Sequence, residues 1–252
     1  MPSPKEEATL IVDALFDEVG ATGGHAAYGE VPGVDGRTAL LEMKEAGFPG
    51  WGEVEWSGYY LKFIVQEACK NELSDQVEPL DLEHKRHFVK GNYVWDARLS
   101  AEDKNDVVLG DVDEYADIIE SNGGIGVLVA DAAVIKDDDG DFKRWQEELK
   151  GGVSEYEIRR EVEGRPSQPR KQAFMIRKVF AYFFTLDILK KGVKDKWAKD
   201  TWQRTMRNSN EQARGGKYLI KIDAVPREHL LFVKNFNEDA AEFKKEFPEF
   251  AD

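Results

Sequence analysis

Residues 125–135 read IGVLVADAAVI, a continuous apolar run bounded by Asn122-Gly123-Gly124 before it and by the Asp-rich KDDDGD turn after it. A run of that length between turn signals is what a strand buried on both faces shows. The segments around it alternate in kind. Residues 92–99, NYVWDARL, read as a strand, 106–109 as a second, and 111–121 as a helix closed by the Gly pair. Residues 142–152, FKRWQEELKGG, form a short helix stopped by two glycines, and 218–224 alternate as a strand. Residues 174–191 fit either a helix or a long buried strand, with aromatics at 180, 182, 183 and 184.

Upstream, residues 4–19 place apolar side chains at 8, 11, 12, 15, 16 and 19, the helical period, with acids in the first turn and Gly20 at the end. A Gly/Pro-rich stretch at 20–36 holds six of the 22 glycines and reads as an ordered loop or a plain surface connection. A short helix over 37–47 and the turn FPGWG lead into 53–73, whose apolar residues cover more than one face, so that helix is central. Residues 235–252 read as an acidic amphipathic helix. The order of elements predicts an α/β (α+β) fold with a mixed central β-sheet flanked by helices.

Composition narrows the function. The chain has 252 residues, 41% hydrophobic and 33% charged, enough for one large domain with a real core. No apolar stretch approaches the roughly 18–20 residues of a membrane span, and MPSPKEEATL lacks the pattern of a secretory signal, so a cytoplasmic protein is expected. Cys69 is the single cysteine, which excludes internal disulfides and cysteine metal clusters, and four histidines leave little for a His-rich site. The net charge of −14 hides a segregation. Residues 158–217 carry 16 Lys/Arg against 6 Asp/Glu, net +10, while the remainder is net −24. Such a block either focuses positive potential on one surface or forms a solvated helical face.

Chemistry concentrates in two carboxylates. Glu55 opens the helix of GWGEVEWSGYYLKF, and Asp96 lies inside the otherwise apolar YVWDARL. A carboxylate on a buried strand costs several kcal/mol unless it is paired, hydrogen-bonded or metal-bound. Convergence with Glu55 would suit Mg²⁺, a hard ion that keeps several waters. Pairing of Asp96 with Arg98 or Arg86 is the plainer alternative. The DDDGD of 137–141 fits a turn better than a calcium loop, because the glutamate such a loop needs falls on Arg144-Trp145.

The stretch LLEMKEAGFPGWGEVEWSGYYLKF resembles a segment of certain type II restriction endonucleases, in which a Glu-Trp pair precedes an aromatic helix. YVWDARL is similar to their aromatic-Asp-x-Lys strand. Residues 125–171 resemble their later region: a buried strand, a Phe-x-x-Trp helix, Leu-Lys-Gly, Ser-x-Tyr-Glu and a basic Ser-x-x-Arg-Lys. The resemblance spans residues 40–172. It implies a single PD-(D/E)XK nuclease-like domain over 1–252, with a catalytic core over 37–150 and a DNA-recognition part over 153–217. It further implies Mg²⁺-dependent hydrolysis of double-stranded DNA in a restriction system, by a homodimer.

By this resemblance Glu55 and Asp96 would bind Mg²⁺, with Asp111 a further metal ligand. Arg98 stands where the pattern has lysine, and Lys62, seven residues after Glu55, could supply the missing ammonium or simply snorkel from a core helix. Lys150, in Glu148-Leu149-Lys150, is a lesser option for that ammonium. Two clusters are candidates for DNA contact: Arg159, Arg160, Arg165, Ser167, Gln168, Arg170 and Lys171, then Arg204, Arg207, Asn208, Asn210, Gln212 and Arg214. Two other functions stay open: a DNA-binding relative whose nuclease site has decayed, and an unrelated α/β enzyme or scaffold that leaves the basic block unexplained.

Overall fold

The computed structural model describes residues 2–21, 33–82, 85–101, 105–165, 169–206 and 214–236. In chain order its main elements are α1 (Pro4–Ala21), β1 (Gly33–Asp35), α2 (Gly36–Glu45), α3 (Trp56–Glu72), β2 (Glu78–Leu82), β3 (Lys85–Lys90), β4 (Val94–Ala101) and β5 (Asp106–Asp111). There follow α4 (Val112–Asn122), β6 (Ile125–Lys136), α5 (Asp141–Lys150), α6 (Glu155–Val162), β7 (Lys171–Phe184), α7 (Leu186–Asp195), β8 (Ala198–Trp202), β9 (Lys217–Lys221) and β10 (Leu230–Asn235).

The expected mixed sheet is present, with strand order β1-β7-β6-β4-β3-β2 and β10 also paired to β7. Strands β2, β3 and β4 form an antiparallel meander; α4 then carries the chain to β6, which runs parallel to β4. The two short strands β1 and β10 both pair antiparallel with β7, opposite residues 173–175 and 178–182. A second sheet, β5-β9-β8, lies apart from this path.

The apolar run sits where its composition requires. Leu128, Ala130, Ala132 and Val134 of β6 join one core with α1, α2, α3 and Phe142 of α5. Ile125, Val127 and Val129 join a second core with α4, Leu189 of α7 and the small sheet. A strand covered on both faces has no polar side to alternate with. Gly126 is required at one point of this packing, because a Cβ there would meet the Trp95 ring at 2.0 Å.

Two expectations are refined. The ambiguous stretch at 174–191 is a 14-residue strand followed by a helix, because Thr185 caps α7 through Ile188 N and divides the apolar run in two. The 137–141 turn is structural: Asp137 accepts from Phe142 N at 3.0 Å and Lys143 N at 2.7 Å, fixing the start of α5. Most of the Gly/Pro-rich stretch and all but the first two residues of the acidic tail lie outside the described residues. No described helix is long and apolar enough to cross a membrane.

Helix α1 is tied to the meander by one buried carboxylate. Glu7, 2% exposed, accepts from Asn92 N (2.8 Å), Asn92 Nδ2 (3.0 Å), Tyr93 N (3.0 Å) and Trp95 Nε1 (2.7 Å). Glu7→Ala orphans the buried Trp95 Nε1, at a cost of about 1–3 kcal/mol, and removes three partly buried bonds to Asn92 and Tyr93. We expect a loss of about 3 kcal/mol in urea unfolding, and a loss under 1 kcal/mol would contradict this tether.

Candidate functional site

The two carboxylates singled out in the sequence occupy different surroundings. Asp96 lies in the middle of β4 with no exposure, opposite Phe88 on β3 and Val127 on β6, two residues of the second core. Its charge is answered on the spot. Arg98 approaches Oδ2 with Nε at 2.7 Å and a terminal nitrogen at 2.6 Å. Tyr115 of α4 donates its hydroxyl to the same oxygen at 2.5 Å. Lys62 of α3 brings Nζ to 3.2 Å of Oδ1 as an ion pair, without the geometry of a hydrogen bond.

Electrostatics follow from this packing. Burial works to raise the Asp96 carboxyl, but Arg98, Lys62 and the Tyr115 hydroxyl outweigh it and hold the group below its ordinary value. Burial lowers Lys62 from 10.5 to about 8; the Arg98 charge adds to this, and Asp96 offsets part of it. Tyr115 is pushed well above 10, first by burial and then by Asp96. The Asp96–Arg98 pairing anticipated from sequence is therefore present, joined by Lys62 from 34 positions earlier in the chain.

Glu55 is elsewhere. It stands at the N-cap position of α3 with no capping hydrogen bond, three-quarters exposed, and its Oε2 lies 2.6 Å from Lys171 Nζ. Glu55 and Asp96 thus have separate cationic partners. A fully buried oxygen pair already facing two cations is also the wrong donor set for a hydrated Mg²⁺. Asp111 is a third location, at the junction of β5 and α4, across from Lys217 on β9. Among the described residues, no group of three or more His, Cys, Asp or Glu is placed to hold a metal.

What Glu55 does line is a cavity of about 1230 Å³. Its wall contains Ala101 and Lys136, the last residues of β4 and β6, so it opens at the carboxyl ends of the two parallel strands, the usual ligand position in open α/β sheets. Gly52–Glu55, Val134, the α5–α6 turn (residues 150–154), Glu157, Arg160, residues 169–171 and Arg214 complete it. The α5–α6 turn is shaped by Gly151 and Gly152, both with positive φ.

The sequence candidates for DNA contact divide here. Arg160, Lys171 and Arg214 line the cleft, and Lys150 joins them. Lys150 is lowered from its ordinary value, chiefly by burial and then by Arg170. Arg170 itself is not presented to a ligand. Its side chain is fully buried, bonded to Gln146, to Glu147 at 3.0 Å and to Glu157 at 2.6 Å, and it pins β7 to α5 and α6. Arg159, Arg165 and Arg204 are exposed, and Arg165 pairs with Glu163. Ser167, Gln168, Arg207, Asn208, Asn210 and Gln212 lie outside the described residues, as does the side chain of Arg86.

Sequence reasoning missed Lys136 and Tyr115. Lys136 follows the apolar run directly, so the end of a parallel strand was the signal available for it. Tyr115 had none beyond its place on the apolar face of α4. No protein-family model, curated protein or solved structure matches the chain.

The depressed Lys62 has a measurable consequence. Between its folded value near 8 and its unfolded value near 10.5 the unfolded chain holds more protons, so this residue makes stability rise with pH. Cys69, pushed by burial from 9.0 to about 12, and the buried tyrosines oppose that rise at higher pH. The difference between wild type and Lys62→Met isolates the lysine. Urea melts at several pH values should show this difference moving in favour of wild type by about 1 kcal/mol per pH unit above pH 8. A pH-independent difference would contradict a buried, partly neutral lysine.

Proposed function

We propose that the chain acts on duplex DNA as a relative of the type II restriction endonucleases, taking the phosphate backbone into the cleft at the ends of β4 and β6. The observation that carries this reading is the cleft's lining: Lys136, Lys150, Arg160, Lys171 and Arg214 line it beside three glutamates, in a chain whose net charge is −14. Most of these cations come from the basic block, and four of the five lie within residues 40–172, where the resemblance to those enzymes runs. Concentrated Lys and Arg against an acidic background attract polyanions and supply phosphate contacts.

Mg²⁺-dependent cleavage, by a homodimer cutting both strands of a symmetric site, is the second reading. The position of Glu55 favours it, since one carboxylate of the pair stands among the cations that would receive a phosphate. Against it stands Asp96, which is sealed in the core by Lys62, Arg98 and Tyr115. The decayed, binding-only relative is therefore the form of the proposal that the geometry supports best.

Fluorescence anisotropy with a labelled duplex tests binding. Affinity should fall steeply and linearly on a log–log plot as salt rises, with a slope of about −0.9 per phosphate neutralised. Lys150→Glu should weaken it by roughly tenfold or more. Absence of binding at low salt, or binding indifferent to Lys150→Glu, would overturn the reading. Unmethylated phage DNA incubated with Mg²⁺ or EDTA separates the two forms: bound but intact DNA supports the binder, and discrete Mg²⁺-dependent fragments establish the nuclease.

A further inference from the structure

We propose that Glu55 is a built-in stand-in for a DNA phosphate: its carboxylate occupies the position on Lys171 that an incoming phosphate takes, and DNA enters the cleft by displacing it. This rests on the reading that duplex DNA occupies the cleft.

The pairing is built by the fold. Trp56, the residue after Glu55, is fully buried against Phe142 and Phe174. Its indole Nε1 donates to the Lys171 carbonyl oxygen at 2.8 Å. The Glu-Trp pair therefore engages both ends of one residue: Trp56 fixes the Lys171 backbone, and Glu55 receives its ammonium at 2.6 Å. Glu55 and Lys171 both line the cleft.

The two ends differ in how firmly they are held. The Trp56 bond lies in the core, whereas Glu55 is 75% exposed and Lys171 26% exposed on their side chains. An exposed ion pair is weak and screened by salt. The backbone of Glu55, at φ −87° and ψ 36°, lies outside the helix, and its side chain caps nothing, so the ion pair can open without disturbing α3. A phosphate that arrives with neighbouring phosphates on Lys150 and Arg160 can outcompete the carboxylate, whereas a single small anion has only the one exchange to gain. Glu55 thus sets a threshold that favours extended polyanions.

The test is duplex binding by anisotropy in EDTA, with wild type, Glu55→Gln, Lys171→Gln and the double variant. Glu55→Gln should bind about two- to fivefold more tightly, the range a surface ion pair can withhold. Its salt dependence should keep the wild-type slope, because Lys171 meets the same phosphate in both complexes. On the Lys171→Gln background the same change should have no effect. If Lys150→Glu weakens wild-type binding while Glu55→Gln leaves it unchanged or weaker, the displacement is wrong and the DNA reading stands. If neither wild type nor Glu55→Gln binds duplex at low salt, the DNA reading fails and this inference with it.

Discussion

A carboxylate without solvent contact in the middle of a central strand has to be neutralised where it stands, and Asp96 imposes that demand on the rest of the molecule. Lys62 answers from α3, Arg98 from β4 and Tyr115 from α4. The network joins the helical layer, the main sheet and the crossover helix around one charge. Its members cannot be exchanged singly, because removing one partner of a buried ionic cluster leaves the others without compensation, at a cost of about 3–5 kcal/mol. Lys62 shows the strain of the arrangement, being held near the edge of neutrality by burial and by Arg98 while Asp96 pulls it back.

The cleft obeys a different rule. Its charges grade from sealed to open within two residues: Arg170 is spent on Gln146, Glu147 and Glu157, whereas Lys171 meets the exposed carboxylate of Glu55 at the cleft wall. The first fixes where β7 begins and so where the second is presented. A cation that does structural work and a cation that can exchange its partner thus stand side by side at 170 and 171. The glycines at 151 and 152 serve the same wall, since positive φ at both lets α5 end and α6 begin beside Lys150.

Much of the fold was legible because its strongest elements carry unmixed signals. The run at 125–135 has no polar face to confuse it, and the helices at 4–21, 56–72 and 112–122 have clear periods or caps. The pairing of β2 with β3 was not legible, because EPLDL and KRHFVK mix charges with apolar residues. Strand β10 was missed for a similar reason: LLFVKN becomes a strand through pairing with β7, some 50 residues away, rather than through its own pattern. Of the site, the need of a buried carboxylate for cations pointed to Asp96 with Arg98 or Arg86, whereas Lys62 was singled out only through the resemblance, and its place beside Asp96 follows from the packing of α3 on β4. It could not decide the company of Glu55, whose partner lies 116 positions on. Arg170 and Lys171 are adjacent and alike in sequence; only burial distinguishes the structural residue from the presented one.

Hydrogen exchange of the full chain, alone and with a short duplex, tests most directly the claim that ligand binding and the Asp96 network are separate. New protection is expected at 150–154 and around 171, where amides border the cleft, with unchanged exchange at 94–98 of β4, which is protected already. Exchange that changes at 94–98 and 112–118 while 150–154 stays as it was would contradict that claim, and would place the functional centre at Asp96.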